Sequence, residues 1–353
     1  MAVPKLTIGL TFDDVLLEPR RSAVVRSEVV LHTQLTKQLT LNIPIISAAM
    51  DTVSDAPMAI ALGKLGGLAV VHRNCTIAEE VAMVRQARAK KVQVGAAVGP
   101  HDMERAKALD QAGASAIFLD CAHAHSVRII QSAKRMKKSI KAPLVVGNIA
   151  TKEAAAALVT FADAVKVGIG PGAICTTRVV AGIGVPQLTA IQNVVAVAKK
   201  KNIPVIADGG IKYSGDIVKA LAAGASSVML GSLLAGTKEA PGRTLRIKGQ
   251  LVKSFRGMGS LGAMAKGQSS DRYFQKDNTK YVPEGIEGIV PYKGPVKDVI
   301  WQLIGGLKSG MGYIGSKTIT DISKQARFIQ ITNVSLIESH PHGVTITKPA
   351  PNY

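Results

Sequence analysis

The chain has few aromatic residues, few cysteines and no long apolar run. Among its 353 residues, aromatic side chains make up 4%, and the three cysteines are Cys75, Cys121 and Cys175. Three cysteines without a CxxC pair argue against a disulfide framework and against a structural zinc site. No stretch approaches the roughly 18 consecutive apolar residues of a membrane span, and the N-terminus lacks the features of a signal peptide. We therefore predict a soluble, cytoplasmic protein.

Acidic residues are also scarce, since 24 Asp and Glu stand against 44 Lys and Arg, giving a formal net charge of +20. Such a charge suits nucleic acid, but the cationic side chains are dispersed over helical segments such as 132–141 and 197–201. We interpret them as a solvated basic exterior that also attracts anionic substrates, nucleotides among them. A basic nucleic-acid-binding protein is the alternative.

What the chain has in quantity is apolar sequence, with 47% hydrophobic residues against 19% charged ones. Eight short β-branched runs alternate with amphipathic stretches, at residues 43–48, 68–72, 92–98, 116–120, 144–148, 164–168, 204–208 and 227–231. Eight parallel strands close a (β/α)8 barrel, whose functional residues cluster at the C-terminal ends of the strands. An open doubly wound sheet is the alternative, disfavoured because no GxGxxG follows the first run.

Apolar residues at three-to-four spacing predict outer helices, for example at 76–90, 102–112 and 187–200, and a later helix at 296–308. Between the eighth run and that last helix, residues from about 240 to 294 are rich in Gly, Ser and charge and lack periodicity. We predict a long, irregular and mobile functional insertion there. A polar tail at 332–353 ends the chain, and residues 1–353 are predicted to form a single domain.

The strongest local signal is the glycine-rich run at 167–187, which contains Cys175. Its glycines permit positive φ angles and close backbone approach to a ligand; they are Gly168, Gly170, Gly172, Gly182 and Gly184. Thr176, Thr177 and Arg178 follow the cysteine, so hydroxyls and a cation favour its thiolate. A lone cysteine is otherwise a small buried hydrophobic residue. This setting favours Cys175 as a nucleophile.

Two further glycine loops have the character of a phosphate site. Asp208 precedes Gly209 and Gly210 after the seventh run, and Gly231 precedes Ser232 after the eighth. Barrels often bind phosphate at these loops, although a DGG sequence also occurs in ordinary tight turns. A carboxylate beside a phosphate is repelled unless it holds sugar hydroxyls, so the two loops together predict a nucleoside monophosphate.

Nine ordered segments, spread over nearly the whole chain, resemble bacterial IMP dehydrogenases. They are LTFDDVLLEP (10–19), SAAMDTV (47–53), GPGAICTTR (170–178), IADGGI (206–211), MLGSLLAGT (229–237), RGMGSLGAM (256–264), SSDRYFQ (269–275), PEGIEG (283–288) and ESHPHGVTITKPAPNY (338–353). The resemblance implies a TIM barrel that oxidises IMP to XMP with NAD in guanine nucleotide biosynthesis. GMP reductase shares the barrel and the cysteine loop, but the SSDRYFQ segment belongs to the dehydrogenase.

The resemblance also implies roles for individual residues. Cys175 attacks C2 of the hypoxanthine ring, and Arg272, with Tyr273 beside it and with Thr177, activates the water that releases XMP. Asp208 would hold the ribose and Gly210, Gly231 and Ser232 the phosphate, while the base would contact Met50, Gly257, Met258, Gly259 and Glu284. The NAD side would be lined by Asp120, Asn148, Gly168 and Gly170.

A potassium ion and an oligomer follow from the same resemblance. The ion would be held by the carbonyl groups of Gly170, Gly172 and Cys175, with further ligands from a neighbouring subunit at Glu338, Ser339 and His340. Such a bridging site implies a homotetramer. His340 and His342 have no third ligand at useful spacing, so no zinc site is predicted.

The chain departs from the family pattern at several positions. Ala173 stands where a phosphate-contacting serine is usual, Phe255 where tyrosine is usual, and residues 121–124 replace a more typical run beside the NAD ribose. The two missing hydroxyls predict weaker IMP binding. A pair of CBS repeats, usual between the second and third strands, is absent between about residues 76 and 91; a naturally short form and an engineered deletion both fit this gap.

Overall fold

The computed structural model describes residues 6–266, 270–273, 275 and 280–353, and its centre is a closed barrel of eight parallel strands. The strands follow one another in chain order around the barrel, and the eighth pairs with the first. They are Ile45–Ser47, Leu68–Val71, Val94–Val98, Ala116–Asp120, Leu144–Ile149, Ala164–Val167, Val205–Asp208 and Ser227–Leu230. The predicted barrel is therefore confirmed, and the predicted strand ends lie within two residues of those observed.

Helices surround the barrel because each presents an apolar face to the outer side of the strands. The helices of this ring are Ala56–Lys64, Ile77–Ala89, Met103–Gln111, Val127–Ser139, Lys152–Leu158, Gln187–Ala198, Ser214–Ala222 and Val296–Ile314. The last runs beyond the end predicted for it and stops at Gly315, whose φ of 73° suits a left-handed helix terminus.

The barrel interior is filled with side chains and closed at one end. Phe118 lies across from Gly95, where an added Cβ would be 2.7 Å from the phenyl ring. A hairpin of strands Thr33–Thr36 and Leu39–Leu41 packs its leucines on this interior, and Thr33 donates a hydrogen bond to the carbonyl of Ser226, just before the eighth strand. The hairpin therefore covers the N-terminal ends of the strands and leaves the C-terminal ends for the site.

The insertion after the eighth strand is more regular than predicted. Strands Thr244–Ile247, Gln250–Arg256 and Glu287–Pro291 form a three-stranded antiparallel sheet. Lys248 and Gly249, with φ of 49° and 81°, make the two-residue turn between the first two strands. The prediction of an irregular segment over 240–294 was wrong for these strands, the third of which pairs with the second across the intervening residues 257–286.

Short elements complete the molecule. Strands Val15–Leu17 and Phe328–Gln330 pair with each other. The short α-helices are Thr177–Val180, Ser232–Ala235, Leu261–Ala265, Ile319–Gln325 and Asn333–Glu338, the last within the tail predicted to be polar; the 3-10 helices are Phe12–Asp14, Arg26–Glu28, Lys199–Lys201 and Ser270–Tyr273. Among the helices of the described residues, none combines the length and apolar character needed to cross a bilayer.

His72, just after the second strand, makes stability depend on pH. Burial lowers the pKa of His72 to about 4, against 6.5 for a free imidazole. The cations of Lys266 and Arg256 lower this pKa further, whereas the carboxylates of Asp51 and Glu79 raise it. As pH falls below 6.5, His72 takes up a proton in the unfolded chain but stays neutral in the folded protein. Above pH 6.5, His72 should therefore not reduce the free energy of unfolding. Between pH 6.5 and 4 this free energy should fall, by about 2 kcal/mol at pH 5.

Urea unfolding at pH 7.5 and at pH 5 measures this loss in the wild-type protein and in His72→Gln. The variant should lose about 2 kcal/mol less between the two pH values. An equal loss in both proteins would show that His72 does not titrate with unfolding.

Candidate active site

A cavity of about 340 Å³ opens at the C-terminal ends of the barrel strands, between the cysteine loop and the insertion. This volume lies in the range of small-molecule sites. It brings together residues from distant parts of the sequence, and the predicted catalytic, substrate and cofactor residues that line it are Met50, Asp120, Asn148, Gly168, Gly170, Cys175, Thr177, Asp208, Gly210, Gly231, Ser232, Gly257, Met258, Arg272, Tyr273 and Glu284. Gly259 lies behind this lining, where its carbonyl accepts a hydrogen bond from the amide of Glu284.

Cys175 is half-buried, and its Sγ lies 3.3 Å from Thr177 Oγ1, to which the thiol donates. The cysteine loop is fixed from both sides. The amide of Cys175 donates to the carbonyl of Gly172, and the amide of Thr176 donates to the carbonyl of Glu284 in the insertion. The thiol is therefore held in place on the cavity wall beside a hydroxyl that accepts its hydrogen bond.

The other two cysteines are unsuited to nucleophilic chemistry. Burial raises the pKa of the Cys75 thiol and of the Cys121 thiol to about 12 in each case. Neither residue lines the cavity. Since the thiolate is the reactive form of cysteine, Cys175 is the cysteine best placed to react.

The two predicted phosphate loops meet at one side of the cavity. Gly209 and Gly210 have φ angles of 93° and 80°, and a Cβ on Gly209 would lie 3.3 Å from the amide nitrogen of Gly172. Gly231 leads into the short helix that begins at Ser232. Three stretches of glycine backbone therefore border one space, and backbone amides at such a place suit an anion.

The two departures from the family pattern border this glycine cradle. Ala173 lines the cavity, and the Phe255 ring is buried beside Gly231, where an added Cβ would be 3.8 Å from its Cζ. Neither side chain offers a hydrogen bond to a bound anion. Restoring the hydroxyls in Ala173→Ser and Phe255→Tyr should therefore tighten IMP binding by roughly two- to tenfold each.

Isothermal titration with IMP measures this effect, with Phe328→Tyr, a phenylalanine outside the cavity, as the matched control. The control should leave affinity unchanged. Unchanged affinity in both cavity variants would mean that the phosphate lies elsewhere.

Lys166 is a site residue that the sequence interpretation missed. It lies on the sixth strand, is 2% exposed, and its Nζ is 3.0 Å from Asp120 Oδ1 and 2.5 Å from Asp208 Oδ2. It also donates to Asn148, whose Nδ2 donates to Asp208 at 2.9 Å. A lysine inside an apolar strand is rare enough to have been a signal. The Lys166 cation stabilises the Asp208 carboxylate beside an anion site. It therefore offsets the repulsion that the sequence interpretation had ascribed to sugar hydroxyls alone.

Arg272 and Tyr273 reach the cavity from the insertion. The Arg272 guanidinium pairs with Asp120 Oδ2, and the amide of Ala122 donates to the Arg272 carbonyl at 3.1 Å. Burial lowers the pKa of Arg272 and raises the pKa of Tyr273. A Cβ on Gly259 would lie 2.6 Å from the phenol ring of Tyr273, so this contact requires glycine. The insertion thus closes on the Asp120 side of the cavity.

The two halves of the predicted cation site are not joined within one chain. The carbonyls of Gly170 and Cys175 accept no hydrogen bond from any described residue. No hydrogen bond of the described residues links them to Glu338, Ser339 or His340, and the His340 ring packs instead against Tyr213 and Tyr353.

Comparisons with known proteins match the whole barrel. The inosine-5'-monophosphate dehydrogenases of Cryptosporidium parvum and Methanocaldococcus jannaschii are 45% and 42% identical, over 100% and 97% of both chains. That of Borreliella burgdorferi is 46% identical, over 95% of this chain and 97% of its own. The Methanocaldococcus alignment spans 480 positions, so that relative carries residues with no counterpart among the 353 here. A family model described as IMP dehydrogenase / GMP reductase domain matches residues 9–342, and the chain belongs to this family.

Proposed function

We propose that the chain is an NAD-dependent IMP dehydrogenase that oxidises IMP to XMP for guanine nucleotide biosynthesis. The observation that carries the proposal is the position of Cys175 in one cavity between the glycine cradle and the Asp120 side that Arg272 occupies. The glycine cradle can take a phosphate, and the Asp120 side can hold either a cofactor or the Arg272 side chain. The identity to IMP dehydrogenases over nearly the full chain agrees with this activity.

IMP binds with its 5'-phosphate on the amides of Gly210, Gly231 and Ser232. Asp208, whose Oδ2 is engaged by Lys166 and Asn148, presents Oδ1 to the ribose hydroxyls. The base then extends along the wall that is lined by Met50, Gly257, Met258 and Glu284, with Gly259 behind it, and C2 comes within reach of Cys175. The rigid cradle at one end fixes how far the base reaches.

NAD fits the opposite side of the cavity. Asp120 and Asn148 supply a carboxylate and an amide that would face ribose hydroxyls and a carboxamide, and Gly168 and Gly170 lie on the cavity wall with them. When bound, NAD supplies the acceptor for one hydride. Because Arg272 already pairs with Asp120, the cofactor and the closed insertion compete for this side.

In the first step the Cys175 thiol gives up its proton to solvent, and its sulfur attacks C2 of IMP. The hydride on C2 would pass to bound NAD, which supplies the two-electron acceptor, and the C2–S bond remains as a thioimidate. Thr177 Oγ1, 3.3 Å from the sulfur, accepts the hydrogen bond of the thiol and orients it, but takes up no proton.

In the second step the insertion closes and Arg272 activates water. An arginine is ordinarily fully protonated, and the Asp120 carboxylate favours that form, but burial lowers the pKa of Arg272 and so favours the neutral form once Arg272 leaves Asp120. Water attacks C2, its proton is taken up by Arg272 with Thr177, and the Cys175 thiolate leaves to give XMP. Tyr273 packs on Gly259 beside Arg272 and holds the insertion in this position.

A potassium ion and a homotetramer belong to the same proposal. The carbonyls of Gly170 and Cys175 are directed to no donor among the described residues, which fits an oxygen-coordinated monovalent cation. The carbonyl of Gly172 would join them. Glu338, Ser339 and His340 of one chain would complete the site of the next.

We also propose that the whole chain is one catalytic domain without the CBS module, and that it acts in the cytoplasm. Two other functions compete with the dehydrogenase. A GMP reductase would have no use for the water-activating Arg272, which is the feature that disfavours it. Nucleic-acid binding rests on the net charge of +20 alone, and filter binding across salt concentrations tests it.

The direct test mixes protein, IMP, NAD and potassium chloride and follows NADH absorbance. We expect continuous NADH formation that depends on IMP. We expect no oxidation of NADPH when GMP and NADPH are supplied instead. A protein that oxidises NADPH with GMP and makes no NADH from IMP would be a reductase, and the proposal would fail.

A further inference from the structure

We propose that Arg73 and Asp271 form a latch that holds the insertion closed over the cavity and thereby sets the competition between water attack and NAD binding. The proposal rests on the proposed function and names positioning residues for it. Asp271 directly precedes Arg272 and Tyr273, so a contact that fixes Asp271 also fixes the catalytic side chain.

The ion pair joins the insertion to the barrel. Arg73 follows the second barrel strand and is almost buried, and its Nη2 lies 2.7 Å from Asp271 Oδ1 in the insertion. The Asp271 side chain keeps 29% of its surface exposed, as expected for a contact at the edge of a lid. An arginine held rigidly by the barrel loses little freedom when the aspartate docks, which favours the closed state.

Gly99, after the third strand, is shaped for the same contact. A Cβ there would lie 2.5 Å from Asp271 Oδ2 and 3.1 Å from Arg73 Nη1. Gly99 does not have a positive φ, so the backbone itself tolerates other residues. The absence of a side chain at this position serves the approach of Asp271 to Arg73.

The residue after Arg73 anchors the other end of the insertion. Asn74 Nδ2 donates to Asp51 Oδ2 at 2.8 Å and to the carbonyl of Ala263 at 3.3 Å, and Asp51 in turn pairs with Arg256. Consecutive residues of one barrel loop thus hold both the base of the insertion and the segment that carries Arg272. The contacting atoms of Arg73 and Asp271 are buried as well, but the rest of the Asp271 side chain keeps 29% of its surface exposed.

Weakening the latch should favour NAD, because the apparent affinity for NAD falls with the fraction of closed enzyme. NAD that binds on the Asp120 side after hydride transfer should keep the insertion open and slow hydrolysis, so high NAD concentrations should inhibit turnover. In Asp271→Asn we expect this inhibitory NAD concentration to fall roughly three- to tenfold. The hydride-transfer burst should stay within about twofold of wild type, since its groups are untouched. General damage to the fold would have the opposite effect on NAD and weaken its binding.

Gly99→Ala is the second variant, because it displaces Asp271 by contact and removes no charge. It should shift NAD inhibition in the same direction. Lys137→Met is the matched control: it removes the cation from a 2.5 Å ion pair whose carboxylate, on Asp163, is similarly exposed but remote from the insertion.

Hydrogen exchange at the Ala122 amide reads the latch without catalysis, because that amide donates to the Arg272 carbonyl only when the insertion is closed. It should exchange roughly three- to tenfold faster in Asp271→Asn and Gly99→Ala than in wild type or Lys137→Met. Unchanged exchange at Ala122, or unchanged NAD inhibition in both variants, would overturn the latch. Wild-type protein that forms no NADH would refute the proposed function instead, and Ala122 exchange would still judge the latch.

Discussion

Cys175→Ser is expected to abolish measurable NADH formation, with a loss in kcat of about three orders of magnitude or more. A serine hydroxyl lacks the acidity and nucleophilicity of a thiol, and Thr177 is not a base that could ionise it. IMP should still bind, since its phosphate and ribose contacts lie on other loops. Stopped-flow absorbance for NADH and titration with IMP measure the two properties separately.

Cys75→Ser is the matched control, because Cys75 lies outside the cavity and burial raises the pKa of its thiol to about 12. This variant should retain near-wild-type turnover. A Cys175→Ser protein that turns over at even a tenth of the wild-type rate would show that the sulfur forms no essential bond to the substrate.

Arg272→Ala is expected to separate the two chemical steps. It should give a burst of about one NADH per site, followed by a steady rate that is lower by about two to three orders of magnitude, because the general base for water is gone. The thioimidate should accumulate. Rapid-quench measurement of the burst and of adduct decay checks both expectations.

The rate of thioimidate hydrolysis should also depend on pH, and the direction of this dependence follows from the pKa of Arg272. Burial lowers the pKa of Arg272, so the neutral, active form of its guanidinium becomes more abundant as pH rises. Hydrolysis by the wild-type enzyme should accelerate with rising pH, and Arg272→Ala should lose this acceleration. Arg243→Ala, an exposed arginine of the same insertion, should behave as wild type. A lost burst in Arg272→Ala would show that the insertion acts before hydride transfer.

The barrel could be predicted from sequence because its signals are local. A strand such as Ala116–Asp120 is a continuous apolar run bounded by polar residues, and helix Ile77–Ala89 begins at a capping box formed by Thr76 and Glu79. The third strand of the insertion sheet, Glu287–Pro291, was missed because it pairs with a strand far away in the chain, and no local pattern encodes that register.

The candidate site divides in the same way. The glycine-rich loops and Cys175 could be recognised from the local sequence. Lys166 was instead assigned to an apolar strand, because its ion-pair partners Asp120 and Asp208 are distant in the chain. The ion pair of Arg73 with Asp271 joins residues nearly 200 positions apart. Only closure of the barrel and docking of the insertion bring such side chains together, so their partners could not be deduced from spacing.

Peptide mapping after a rapid acid quench of wild-type enzyme turning over IMP and NAD tests the central claim most directly. The account predicts a purine nucleotide adduct on the peptide that carries Cys175, present during turnover and absent when NAD is omitted. Peptides with Cys75 and Cys121 should be unmodified. NADH formation without any adduct on Cys175 would contradict the account, because hydride transfer would then proceed without the covalent intermediate.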